Sequence, residues 1–195
     1  IARTVRELVD WLGAGAVALV GHSMGGMAAQ EMMAISPRGV AALALVGTSP
    51  SFGRRDGAWQ RQFLAQRLAP LDAGKGMASL APGLVKGMAS PNAPHDAVAR
   101  AALLMSAVPE ATYRRALAAI AGFDRREALP DLRVPVLCLA GADDRNAPAA
   151  VMQQMATRIT GAEYRELPGV GHLAHMEAPQ AVNAALLDFL QRHLQ

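Results

Sequence analysis

The feature that most restricts how this chain can fold is a strand–turn–helix–strand succession near its start. The run AVALV (Ala16–Val20) leads into Gly21-His22-Ser23-Met24-Gly25-Gly26, and VAALALV (Val40–Val46) follows a short distance on. Each run is wholly apolar, the pattern of a strand covered on both faces. Between them Met24 to Ile35 reads as a helix ended by Ser36-Pro37. Strand, helix and strand in that order imply a parallel sheet. Upstream, Thr4 to Leu12 reads as a helix because Val5, Leu8, Val9 and Leu12 share one face. Thr4 and Glu7 make a T-x-x-E capping box, and Gly13 and Gly15 end the segment.

From Ser51 to about Arg126 strand-like runs vanish. Short amphipathic stretches alternate there with breaks at Pro70, Pro82, Pro91, Pro94 and Pro109, as expected of a helical insertion. The apolar pattern resumes at Val134–Ala140 (VPVLCLA), followed by a Gly-Asp turn and a helix over Ala149–Ile159. A strand near Glu163–Leu167 and a last helix over Pro179–Leu194 complete the pattern. The expected fold is α/β, a mostly parallel sheet of about four strands. Residues 1–50 and 127–195 form its core and 51–126 a helical cap. With 52% hydrophobic and 18% charged residues over 195 positions, disorder is excluded and one buried core is expected.

Nineteen basic against 16 acidic residues, with no basic run longer than two, argue against nucleic acid as a partner. No apolar run reaches the roughly 18 residues of a membrane helix. The single cysteine, Cys138, forbids an internal disulfide and fits a reducing, cytoplasmic compartment; inside a strand it reads as inert packing. No Cys/His cluster has zinc spacing, so no structural metal is expected, and nothing in the sequence calls for an organic cofactor.

Gly21-His22-Ser23-Met24-Gly25 is a G-x-S-x-G sequence set between a strand and a helix. Glycines two residues either side of the serine allow a sharp elbow, with the serine strained and its hydroxyl at the C-terminal end of the sheet. A phosphate-binding loop is the other chemistry such a turn serves, but no Walker lysine or downstream ribose-binding acid accompanies it. A serine nucleophile needs a base and a group to orient that base. Two downstream loops supply candidates: Gly141-Ala142-Asp143-Asp144 after the third strand and Gly169-Val170-Gly171-His172 after the fourth. Both emerge at the same end of the sheet as Ser23.

The segments GHSMGG, VPVLCLAGADDRNAP and LPGVGHLAHMEAP resemble the nucleophile, acid and histidine motifs of the α/β-hydrolase superfamily. The resemblance implies Ser23 as nucleophile, Asp144 rather than Asp143 as acid, and His172, with Glu177 and Pro179 at matching offsets, rather than His175 as base. It further implies the backbone N–H of Met24 as one oxyanion donor. Ala107–Tyr113 and Gly122–Arg126 are similar to bacterial hydrolases of the 3-oxoadipate enol-lactonase type, which implies a small ester or lactone substrate. A C–C hydrolase of ring-cleavage products uses a similar triad. In the resembled family a second oxyanion amide comes from a strand upstream of the elbow, and the four strands here match its last four. A chain starting at Ile1 is thus expected to expose an apolar sheet edge and to be catalytically incompetent. Loss of one donor costs about 10² to 10³ in rate. A form extended by roughly 60 to 80 residues is expected to be active.

Other residues have plainer expected roles. His22 packs beside the site, and His193 is solvated on the last helix. Met77, Met88 and Met105 either fill the core or line a pocket under the cap. His95 and the pairs Arg54-Arg55, Arg114-Arg115 and Arg125-Arg126 read as solubilising charge that could also meet an anionic substrate.

Overall fold

A computed structural model describes residues 1–53 and 57–194. Its elements run α1 (Ala2–Leu12), β1 (Val17–His22), α2 (Met24–Ile35), β2 (Val40–Val46), α3 (Ala58–Asp72), α4 (Met77–Met88), α5 (His95–Ser106) and α6 (Glu110–Ala121). A 3-10 turn at Arg126–Asp131 leads into β3 (Val136–Gly141), α7 (Ala149–Thr157), β4 (Glu163–Leu167), α8 (Ala174–Glu177) and α9 (Pro179–His193). The four strands form one parallel sheet in the order β1-β2-β3-β4, with Leu43 opposite Val136 and Leu137 opposite Glu163. This is an α/β fold.

Strand alternation sorts the central residues onto two helical layers. Leu43, Leu45, Val136 and Cys138 pack with Met32 and Met33 of α2 and Met152 and Met155 of α7. Ala42, Ala44, Val46, Leu137 and Leu139 face the opposite way, onto Val182, Ala185 and Phe189 of α9. The continuous apolar sequence of β2 and β3 follows, since neither face meets water.

β1 departs from that expectation. It stands at an edge of the described sheet, runs on to His22 and leaves Val20 51% exposed. The capping box of α1 also does not form. The helix begins at Ala2, ahead of Thr4, with Ile1 at its cap and no side-chain cap bond. The first turn is closed by the Val5 N–H donating to Ile1 O at 2.9 Å, and the Arg6–Asp10 pair supports the turns that follow. Gly13 does end the helix, in the left-handed conformation at φ 58°.

Of the expected proline breaks, Pro94 and Pro109 stand directly before α5 and α6. Pro70 and Pro82 instead lie inside α3 and α4. Each forfeits one intrahelical bond. The buried side chains Leu71, Ala81 and Val85 on the same helices offset that loss. Among the described residues no helix is long and apolar enough to cross a membrane.

Candidate active site

The turn from β1 to α2 is held at an unusual backbone conformation. Ser23 has φ 52° and ψ −120°, and it is the one non-glycine among the described residues with positive φ. Such a conformation costs on the order of 1–3 kcal/mol and needs support from its surroundings. Support comes from three sides. The Ser23 N–H donates to Val46 O at 3.0 Å, the Thr48 hydroxyl donates to Ser23 O at 2.7 Å, and Gly26 N–H donates to the same carbonyl at 2.9 Å.

The glycines of the turn divide differently from the simple motif logic. A Cβ on Gly21 would lie 2.6 Å from Gly25 O and 2.7 Å from Gly26 Cα, and one on Gly26 would lie 2.7 Å from Thr48 Cβ. At Gly25 nothing stands within 4 Å. The close approach of strand and helix therefore rests on Gly21 and Gly26, while Gly25 has room for a side chain.

Three sequence-distant residues meet at this end of the sheet. Ser23 Oγ lies 2.8 Å from His172 Nε2, and His172 Nδ1 lies 2.8 Å from Asp144 Oδ2. The Asp144 side chain is fully buried, and its other oxygen accepts the N–H groups of Asn146 at 2.7 Å and Ala147 at 2.9 Å. A carboxylate held by two amides and an imidazole satisfies its charge without water. It acts only as an acceptor, so His172 carries its proton on Nδ1 and offers Nε2 as acceptor to the serine hydroxyl. Asp143 is exposed and makes a backbone bond to Val170 O. Gly47, at φ 48°, passes so close that a Cβ there would lie 3.2 Å from Asp144 Oδ2.

His22 sits behind this line. Its Nε2 donates to His172 O at 2.7 Å, and its ring lies 5.1 Å from that of His172 and 4.7 Å from that of His175. Burial, reinforced by the neighbouring His172, pushes the His22 imidazole down to about 4, so it stays neutral at physiological pH. The exposed His175 is likewise shifted down, chiefly by desolvation.

Glu177 was visible in the sequence only as an offset. Its Oε2 accepts from Gly171 N–H at 2.9 Å and Ser90 N–H at 3.0 Å, and its Oε1 accepts from Leu173 N–H at 3.0 Å. None of the remaining described candidates is hydrogen-bonded to Ser23. Cys138 is fully buried, and burial pushes its thiol up to about 12. His193 contacts Glu163 Oε1 at 3.3 Å and the Phe189 ring, so it is not merely solvated. Met77 is buried, and Met88 and Met105 are half-buried. Arg114 pairs with Asp72 and Glu110, Arg125 with Glu31, and Arg126 with Asp124. Arg115 bonds the Thr112 hydroxyl, and His95 is exposed at the start of α5. Arg54-Arg55 lies outside the described residues. Among the described residues no three His, Cys, Asp or Glu side chains are grouped to hold a metal ion.

A parallel sheet flanked by helices, with a serine, a histidine and an aspartate in one hydrogen-bonded line past its strand ends, defines an α/β protein of hydrolase type. The chain belongs to the alpha/beta hydrolase family, whose model matches residues 1–185. It is 32% identical over 200 residues to the polyketide synthase ThaQ of Burkholderia thailandensis, matching along the whole of this chain but only 9% of that protein. A second curated relative is covered over 50% of its length. The crystal structure of a hydrolase from Pseudomonas aeruginosa PA01 superposes with a TM-score of 0.85 at 28% identity, over 97% of this chain and 70% of that one. The enol-lactonase from Burkholderia xenovorans LB400 shares the fold at a TM-score of 0.81 and 24% identity, over 97% of this chain and 71% of that one.

Proposed function

We propose that the chain is a serine hydrolase of small carboxylic esters or enol-lactones that works through an acyl-enzyme. The observation that carries this reading is the unbroken line Ser23 Oγ, His172, Asp144, with both links at 2.8 Å. As Ser23 attacks the acyl carbon, its proton passes to His172 Nε2, and Asp144 stabilises the imidazolium that results. The tetrahedral oxyanion forms beside the N-terminus of α2. There the N–H of Met24, first residue of that helix, has no intrahelical acceptor and fits the role of oxyanion donor. Collapse of the intermediate expels the alcohol or enol, which takes the proton from His172. Water then attacks the acyl-enzyme with His172 again as base, and Ser23 recovers its proton.

Helices α3–α6, within residues 51–126, serve in this reading as the cap over a core made of 1–50 and 127–195. The enol-lactone class is favoured by the shared fold with an enol-lactonase and by the likeness of Ala107–Tyr113 and Gly122–Arg126 to that type. The test is hydrolysis of p-nitrophenyl acetate and of a small carboxylated enol-lactone by Ser23→Ala and by the chain, whose rate is expected to lie about 10² to 10³ below that of a form carrying the second oxyanion donor. Loss of both activities in the variant supports the proposal. Turnover of a dienoate diketone without ester or lactone hydrolysis would sink it.

A further inference from the structure

We infer that Glu177 is the positioning residue that holds His172 in line with Ser23 and ties the histidine loop to the segment that ends α4. This rests on the acyl-transfer reading of Ser23, His172 and Asp144. Three backbone N–H donors converge on the one carboxylate, two from Gly171 and Leu173 on either side of the histidine and one from Ser90. The N–H of His172 itself donates to Met88 O at 2.9 Å. Two chain segments more than 80 residues apart are thus stitched by bonds in both directions, Ser90 N–H onto Glu177 and His172 N–H onto Met88.

The packing agrees with the bonding. A Cβ on Gly171 would collide with Ser90 N and lie 2.8 Å from both Ala89 C and Glu177 Oε1, so the loop presses directly on residues 89–90. An ionised carboxylate suits this place because it accepts on both oxygens and donates on neither. Glutamine has the same size but only one accepting oxygen. Oriented toward Gly171 and Ser90, it would set its NH₂ against the N–H of Leu173, donor facing donor.

The imidazole must satisfy Ser23 and Asp144 at once, and a shift of about 1 Å in such a group costs about 10² in rate. Glu177 touches neither the serine nor Asp144. Its loss should therefore lower the rate of the chemical step and leave ligand binding nearly unchanged.

The experiment is the reaction of Ser23 with a fluorophosphonate, resolved into its maximal rate and half-saturating concentration, for the full chain and for Glu177→Gln. The maximal rate is expected to fall by about 10- to 100-fold while the half-saturating concentration moves by less than about threefold. Equal maximal rates, or a loss confined to the half-saturating concentration, would overturn the assignment. A wild-type chain that does not react at Ser23 overturns the acyl-transfer reading instead, and with it the positioning role. Native-state hydrogen exchange on the unmodified chain tests the tie without a variant. Amides 90, 171 and 173 should open together with one free energy, and Ser90 exchanging independently of the other two would refute it.

Discussion

Replacing Gly21 with alanine tests whether the turn from β1 to α2 depends on backbone contact. The added Cβ would stand 2.6 Å from Gly25 O, 2.7 Å from Gly26 Cα and 2.8 Å from Gly25 C. All three are backbone atoms of the first turn of α2, so no side-chain rotation relieves the clash. Carbon contacts settle at about 3.5–4.0 Å, so the helix must retreat by close to 1 Å. Overpacking costs about 1–3 kcal/mol, and backbone on the receiving side puts Gly21→Ala at the upper end, about 3 kcal/mol. The retreat carries Ser23 with it, lengthens the 2.8 Å contact to His172 and is expected to slow reaction at the serine by about 10². Urea denaturation and the rate of Ser23 phosphonylation measure the two effects. Gly25→Ala is the control, because its Cβ enters open space in a helical conformation. It should be neutral or stabilising by up to about 1 kcal/mol. A Gly21→Ala chain within about 0.5 kcal/mol of the parent, or a Gly25→Ala chain destabilised as much as Gly21→Ala, would refute the reasoning.

Three further outcomes are expected. The depressed pKa of His22, about 4 against an ordinary 6.5, means that below pH 6.5 the unfolded chain takes up a proton the folded chain refuses. Stability should be full above pH 6.5 and fall toward pH 4, by at most about 3 kcal/mol from this group. His22→Gln keeps a donor for His172 O and should flatten that fall in urea titrations at pH 7 and 4.5; an unchanged slope counts against it. Cys138 should resist iodoacetamide at pH 8 in the folded chain and react in urea, as a fully buried thiol pushed up to about 12 requires; native labelling at the rate of a free thiol would contradict its placement. Leu139→Ala, in the fully buried centre of β3, should cost about 2–5 kcal/mol. Val20→Ala on the exposed edge of β1 should cost under about 1 kcal/mol, and equal losses would deny β1 its edge position.

What the sequence made legible was whatever depended on local pattern. The runs of β2 and β3 announce strands because nearly every side chain on them is covered, and the glycines around Ser23 announce a tight turn because a strand and a helix approach closely only where no side chain intervenes. β1 reads as apolar in the same way, and its exposed edge is expected only from the resemblance to a larger sheet, because which strands pair is a long-range fact. Pro70 and Pro82 look like helix ends because one missing N–H is locally unfavourable, yet the packing of Leu71, Ala81 and Val85 outweighs a single lost bond. The tight glycine proves to be Gly26 rather than Gly25 because its obstacle, Thr48, comes from the loop after β2. Glu177 was marked by spacing alone, since its partners near residue 90 lie in another segment. Asp143 and Asp144 are chemically identical neighbours. The motif resemblance points to Asp144, and the turn that buries its side chain while exposing that of Asp143 supplies the physical difference.

The most direct measurement is mass-spectrometric mapping of the residue that a fluorophosphonate modifies on the folded chain. One adduct per chain on Ser23, lost in Ser23→Ala and slowed by about 10³ or more in His172→Ala, is the expected result. Modification elsewhere, or labelling that persists undiminished in Ser23→Ala, would contradict the assignment of Ser23 as the nucleophile.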